Sequence, residues 1–281
     1  YEVDRNGATI RFGLPITDQL SAQVAYNFVQ DDYGQKDTND DGVIGDLDTD
    51  GAGPDTGDAA LPVYIPEGTW LKSSLSYSLI FNNIDDMKDP HAGLYAKFNQ
   101  EFAGLGGDAQ WLKTTLKATY YQTLSEEMNW IGLASVGGGY IHAFGSEGLA
   151  SDGNGILVGD QFKASNDIVR GFDFNGFGPM IAGDHVGGTT YFNASAEVQF
   201  PMPAISESIG IKGAFFADVG TLFGSPFSDA TNTEMAWRSS VGASLIWASP
   251  FGPLRVDYAV PVLKESTDKI QNLNFGIATK F

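Results

Sequence analysis

The feature that most restricts this chain is a period of two that recurs along most of its length. From Leu20 to Phe28 the even positions are Leu20, Ala22, Val24, Tyr26 and Phe28, and the odd ones are Ser21, Gln23, Ala25 and Asn27. Successive side chains of a strand point to opposite faces, and no helical spacing fits this order. The alternation recurs at 8–14, where Ile10, Phe12 and Leu14 stand against Thr9 and Arg11, and again at 71–81, 92–99, 112–120 and 130–141. It returns five times in the last third, at 191–200, 211–220, 237–247, 254–260 and 273–281. This predicts about eleven strands of about ten residues each, the length a tilted membrane strand needs.

Alternation alone leaves two architectures. A soluble sandwich buries its apolar face, whereas a membrane barrel turns that face to lipid and its polar face to the lumen. Two features favour the membrane. Aromatic residues sit near strand ends (Phe28, Phe81, Phe200, Trp237, Trp247, Phe281), as interfacial girdles do. Connections also alternate in length. The short ones are 15–19, 82–90, 125–128, 201–208 and 248–252; the longer ones are 30–69, 103–110, 143–190, 221–234 and 263–271. The expected fold class is therefore all-β, a transmembrane antiparallel β-barrel, in one domain over 1–281 with an acidic loop at 30–69 and a long loop at 143–190. An odd strand number is unusual for a bacterial single-chain barrel, and open ends would leave unpaired backbone in lipid. The reading therefore expects further strands before Tyr1. The opening Tyr1–Arg5 has neither a basic nor an apolar signal-peptide region and no Met, as expected for a mature or excised piece.

Composition narrows the function. Sixteen Lys and Arg against 35 Asp and Glu give a net charge of −19, which argues against a nucleic-acid partner. Without cysteine there is no disulfide scaffold, thiolate metal site or cysteine nucleophile. Only three histidines occur, scattered at His91, His142 and His185. No Gly-x-Ser-x-Gly elbow or His-Glu-x-x-His pair is found, so the chain is not expected to be an enzyme.

Within the long loop lie Val169-Arg170-Gly171-Phe172 and Gly176-Phe177-Gly178-Pro179. Three further stretches follow in order: 187–197 from Gly187 to Glu197, 216–221 from Phe216 to Thr221, and 249–258 from Ser249 to Tyr258. With these the chain resembles the outer-membrane barrel assembly insertases, the BamA-type members of the bacterial surface antigen superfamily, and most closely their alphaproteobacterial members. The resemblance implies that the chain is the C-terminal part of a barrel of about sixteen strands, with the first strands and the periplasmic POTRA domains outside it. It also implies that the loop tucks into the lumen and that Arg170 pairs with Glu197 and Asp218, two acids on the polar faces of neighbouring strands. A guanidinium can engage two carboxylates through its fork of donors, and Gly171 would permit a tight turn there. Val169 and Phe172 complete this loop–barrel lock, whose role would be structural.

The last segment, Asn274 to Phe281, resembles an outer-membrane β-signal, with Asn274, Gly276 and the terminal Phe281 in place and Thr279 departing from the hydrophobic position. In the family this strand pairs loosely with the first, at a seam that can open laterally. Between residues 31 and 58 lie ten Asp and one Lys. Asp37, Asn39, Asp41, Val43 (through its backbone carbonyl) and Asp48 fall at ligand positions of an EF-hand loop, with Gly42 at its turn. A bound Ca²⁺ in 37–48 would stabilise the loop; the expected function itself requires no cofactor. That function is the core insertase of barrel assembly, folding and inserting client β-barrels without ATP. Its partners would be those clients, accessory lipoproteins acting through the POTRA domains, and outer-membrane lipid. The alternatives are a related outer-membrane protein translocator, a passive porin, a surface adhesin and, more remotely, an outer-membrane hydrolase.

Overall fold

A computed structural model of the chain describes residues 2–34, 68–87, 89–144, 155–203, 210–249 and 252–277. Eleven strands form one antiparallel sheet: β1 (Glu2–Pro15), β2 (Leu20–Gly34), β3 (Gly68–Asn82), β4 (Gly93–Gly107), β5 (Trp111–Ser125), β6 (Trp130–Ala143), β9 (Thr190–Pro201), β10 (Ile211–Phe223), β11 (Trp237–Ser249), β12 (Gly252–Leu263) and β13 (Leu273–Ile277). Each pairs with its neighbours in sequence, so the sheet is a meander. β6 meets β9 across the long loop, which holds the two-residue strands β7 (Met180–Ile181) and β8 (Asp184–His185). Apart from β13, the sheet strands run to 12–15 residues, longer than the periodic segments alone indicated.

Burial decides between the two architectures. Val24, Tyr26, Leu75, Tyr77, Leu116, Tyr120, Phe215, Val219, Val241, Leu245, Tyr258 and Val260 are exposed. Their polar neighbours are buried, among them Ser74, Ser78, Thr119, Glu197, Asp218, Ser240, Ser244, Arg255 and Asp257. A water-soluble sandwich would show the opposite arrangement. A sheet with an apolar exterior and a polar interior belongs to a membrane β-barrel. No helix among the described residues is long and apolar enough to cross a membrane; crossing falls to the strands.

One expected connection is corrected. Residues 103–110 read as one of the longer loops, but β4 continues to Gly107 and only 108–110 link it to β5. Gly104, Gly106 and Gly107 have positive φ there, and the register shifts between Lys72 and Ser74 on the partner strand. The glycines that resemble a loop instead form an irregular, bulged strand end.

The long loop lies against the inner face of the sheet. Its base is closed by reciprocal backbone hydrogen bonds between Phe162 and Gly188, both 2.9 Å. Ala164, Ile168, Val169, Phe172 and Phe177 pack with Leu222 of β10 into a buried cluster, and Ile156 and Leu157 pack with Trp70, Ala103 and Trp111 into a second. These two interior apolar clusters are therefore built between the loop and the wall, whereas a third, of Tyr121, Ile131 and Leu133, lies on the wall itself against Ile84.

Candidate functional site

Strand register places the site before any side chain is considered. On the lumen face Ser195 lies opposite Asp218, Glu197 opposite Phe216, and Ser244 opposite Asp257. Arg255 is two residues before Asp257 and so shares its face. The loop delivers the remaining member. A turn in which Ile168 and Val169 N–H donate to the Ser165 carbonyl (2.9 and 3.2 Å) carries the chain inward to Arg170. Gly171 then adopts φ +94°, and a side chain there would press on Ala259 of β12.

Arg170 is held on several sides. Its Nε and one terminal nitrogen donate to the two oxygens of Asp218 at 2.6 and 2.7 Å. Its other terminal nitrogen donates to Glu197 Oε2 at 2.9 Å, and Ser195 Oγ accepts a further bond at 3.1 Å. The backbone N–H of Arg170 also donates to Asp218 at 3.2 Å. Its guanidinium carbon lies 3.4 Å from the centroid of the Phe216 ring, a cation–π contact. Side-chain exposure is 5% for Arg170, 1% for Glu197 and 3% for Asp218, so these charges are shielded from water. Burial works against the charged guanidinium, but Asp218 and Glu197 outweigh it and hold the proton more tightly than usual.

The site extends beyond the residues that sequence singled out. Arg255 donates through two nitrogens to Glu197 at 3.1 and 2.7 Å, to Asp257 at 2.7 Å and to Ser244 Oγ at 2.6 Å. Asp257 also lies 3.7 Å from Arg170. Two guanidiniums thus face three carboxylates, Glu197, Asp218 and Asp257, leaving a cluster with net charge −1. The alternation had already placed Arg255 and Asp257 on the polar face. Their partner, Glu197, is 58 residues from Arg255, and only the register brings the two together.

Val169 and Phe172 are fully or almost fully buried; Phe172 meets Phe177 edge-on with centroids 5.2 Å apart. At the other end of the loop, Lys163 donates to the Val186 carbonyl. Burial and the nearby charge of Lys113 lower its ammonium to about 8 against the favourable pull of Asp160. A cavity of about 540 Å³ runs beside the loop from Lys117 and Lys163 to Asn274 and Gly276 on β13. Asn274 lies opposite Asp257 in the register, and Gly276 opposite Arg255. Phe281, like Asp37, Asn39, Asp41, Val43 and Asp48 of the calcium-type loop, lies outside the described residues. Among the described residues no group of three or more His, Asp or Glu is arranged to hold a metal ion.

Comparison with known proteins agrees with this architecture. The Omp85 superfamily domain matches residues 1–281. The chain is 36% identical over 231 residues to the outer membrane protein assembly factor BamA of Neorickettsia risticii, covering 80% of this chain and 29% of that protein. It is 25% identical over 236 residues to the human sorting and assembly machinery component 50 homolog, covering 79% of this chain and 48% of that one. The crystal structure of BamA from Haemophilus ducreyi lacking POTRA domains 1–3 superposes with a TM-score of 0.75 at 21% identity, over 97% of this chain and 53% of that one. The chain thus spans less than half the length of these two curated relatives. The exposed apolar face, the polar lumen and the match along the whole chain lead to one conclusion: the chain belongs to the Omp85 superfamily, as part of an integral β-barrel of a Gram-negative outer membrane.

Proposed function

We propose that this chain is the C-terminal barrel portion of a core insertase that folds client β-barrels and inserts them into the outer membrane. The observation that carries this reading is the 36% identity to a protein named as an assembly factor. The seated loop supports it against a passive porin: a lumen crossed by a loop with a buried charge network is a poor open pore. Strand insertion is slow because unpaired backbone groups are costly in lipid. An exposed strand edge lowers that barrier by offering hydrogen-bond partners to an incoming strand. In this proposal β13 supplies the edge, Asn274, Gly276 and Phe281 form its β-signal, and the Arg170 lock with Val169 and Phe172 fixes the loop behind it. No covalent step, ATP or cofactor is involved, and a Ca²⁺ bound by 37–48 would serve only to stabilise that loop. Clients and lipid act at the seam, while accessory lipoproteins dock on POTRA domains.

The test is depletion of the intact protein in its own bacterium, with quantification of unrelated outer-membrane barrels. Wild-type and Arg170→Ala copies are then supplied, and heat-modifiability checks that each is folded. Loss of unrelated barrels that only the wild-type copy restores is the expected result. Unchanged barrel levels on depletion would instead favour a dedicated translocator or a porin.

A further inference from the structure

The connection between β12 and β13, residues 264–272, is joined to the long loop by its backbone. Lys269 N–H donates to the Gly176 carbonyl at 2.8 Å, Asp173 N–H to the Lys269 carbonyl at 3.0 Å, and Gln271 N–H to the Gly171 carbonyl at 3.2 Å. Phe172 and Ile270 form an isolated β-bridge, and Ile270 packs on the cluster of Phe172, Phe177 and Leu222. The seated loop and the segment leading into the last strand are therefore one structural unit.

A second buried ion pair holds that unit to the wall. Arg238, at the start of β11, donates to both oxygens of Asp268 at 3.1 and 2.9 Å. Their side chains are 4% and 0% exposed. The Arg238 guanidinium also donates to the Ala236 carbonyl and lies 5.5 Å from the ring of Phe177 in the loop. Asp268 further accepts the Glu265 N–H at 2.8 Å, which shapes its own turn. Next to Asp268, buried His185 bridges two segments: Nδ1 lies 3.0 Å from the Gly178 carbonyl and Nε2 3.2 Å from the Thr267 carbonyl.

The strand that follows starts directly from this anchor. Ala259 N–H donates to the Asn272 carbonyl at 2.8 Å, and the β12–β13 register begins at the next pair, Leu273 opposite Tyr258, so the anchored connection hands the chain to the ladder without a break. We infer that Arg238 and Asp268 are positioning residues for the last strand, holding 264–272 on the seated loop and so coupling the loop's seat to the pairing of β13 with β12. The functional weight of this coupling rests on the insertase reading, in which β13 is the seam strand; the coupling itself does not.

Hydrogen exchange followed by mass spectrometry, on the intact protein in lipid, tests it. Peptides spanning 273–277 report the last strand, and peptides spanning 241–247 report the middle of β11. Asp268→Asn removes the charge with little change of shape. Arg238→Lys keeps the charge and loses the fork. Both variants are expected to exchange about tenfold faster over 273–277, with less than about a twofold change over 241–247. Heat-modifiability matching the wild type establishes that each is folded. Unchanged exchange at 273–277 overturns the inference, and so does an equal rise in both regions, which would mean a general loss of stability. Failure of the depletion experiment with a positive exchange result would refute the insertase reading and leave the coupling standing.

Discussion

Removing the Arg170 side chain tests whether charge balance, rather than contact number, governs the lock. In the wild type two guanidiniums face three buried carboxylates, with net charge −1. Arg170→Ala takes the cluster to −2 and strips Asp218 of its cation, leaving it the Ser195 hydroxyl at 2.6 Å and a backbone N–H. Breaking a buried pair by deleting one partner typically costs about 3–5 kcal/mol, because a charge is left uncompensated. Glu197→Gln removes contacts to both arginines yet brings the cluster to neutrality, two against two. It retains one carbonyl acceptor for the arginines, so a smaller cost of about 1–2 kcal/mol is expected. Hydrogen exchange of the loop segment 164–178 reads the difference directly. Arg170→Ala should accelerate it by about a hundred- to a few-thousand-fold, and Glu197→Gln by about thirtyfold or less. If Glu197→Gln is as damaging as Arg170→Ala, contact number governs and the charge-balance argument is wrong. If Arg170→Ala leaves the loop unchanged, the lock does not hold it.

Gly171→Ala places a side chain at φ +94° against Ala259 and should weaken loop seating by about 1–3 kcal/mol, seen as faster proteolysis within 164–178 in a protein that still shows heat-modifiability. Phe216→Leu removes the ring beneath Arg170 and should cost about 0.5–2 kcal/mol of loop seating through the lost cation–π contact, measured by the same proteolysis. Lys163 loses its proton near pH 8 in the folded loop and near 10.5 when unfolded, so the unfolded form binds more protons between those values and loop stability rises across that window. Exchange of 159–166, corrected for the intrinsic pH dependence, should slow from pH 8 to 10 in the wild type and not in Lys163→Met.

The strands were legible because period two is a local property. All eleven sheet strands were found from it, and parity alone sets Val24, Tyr77 and Val241 on the apolar face; that this face is the exposed one follows from the membrane reading. Strand ends were less legible: the glycines at 104, 106 and 107 carry the composition of a loop while continuing β4. The two-residue strands β7 and β8 are too short to show any period. Arg170, Glu197 and Asp218 could be singled out because a family resemblance pointed to the loop. Arg255 and Asp257 were visible as polar-face residues but not as members of the cluster, since that depends on how four strands and the loop align. Arg238 showed only as a polar-face residue of its strand, and His185 and Asp268 gave no local signal; an isolated histidine or a charged residue at a strand end most often just meets solvent. Their meaning depends on contacts that span 30 residues for Arg238 and Asp268 and 82 for His185 and Thr267.

The charge cluster also constrains the order in which the molecule can assemble. Arg170 is 27 residues from Glu197 and 48 from Asp218, while Arg255 is 58 from Glu197. Until β12 is in place, Arg170 would share the interior with Glu197 and Asp218 alone, without the second cation that Arg255 brings. Closing such widely separated loops comes late, after local hairpins have formed. Interactions absent from the transition state act mainly on the rate of leaving the native state. The lock therefore works less as a guide to folding than as a latch completed late: Arg170 can meet Glu197 and Asp218 once β9 and β10 are in place, but Arg255 and Asp257 join only with β12, and the finished cluster prolongs the lifetime of the barrel.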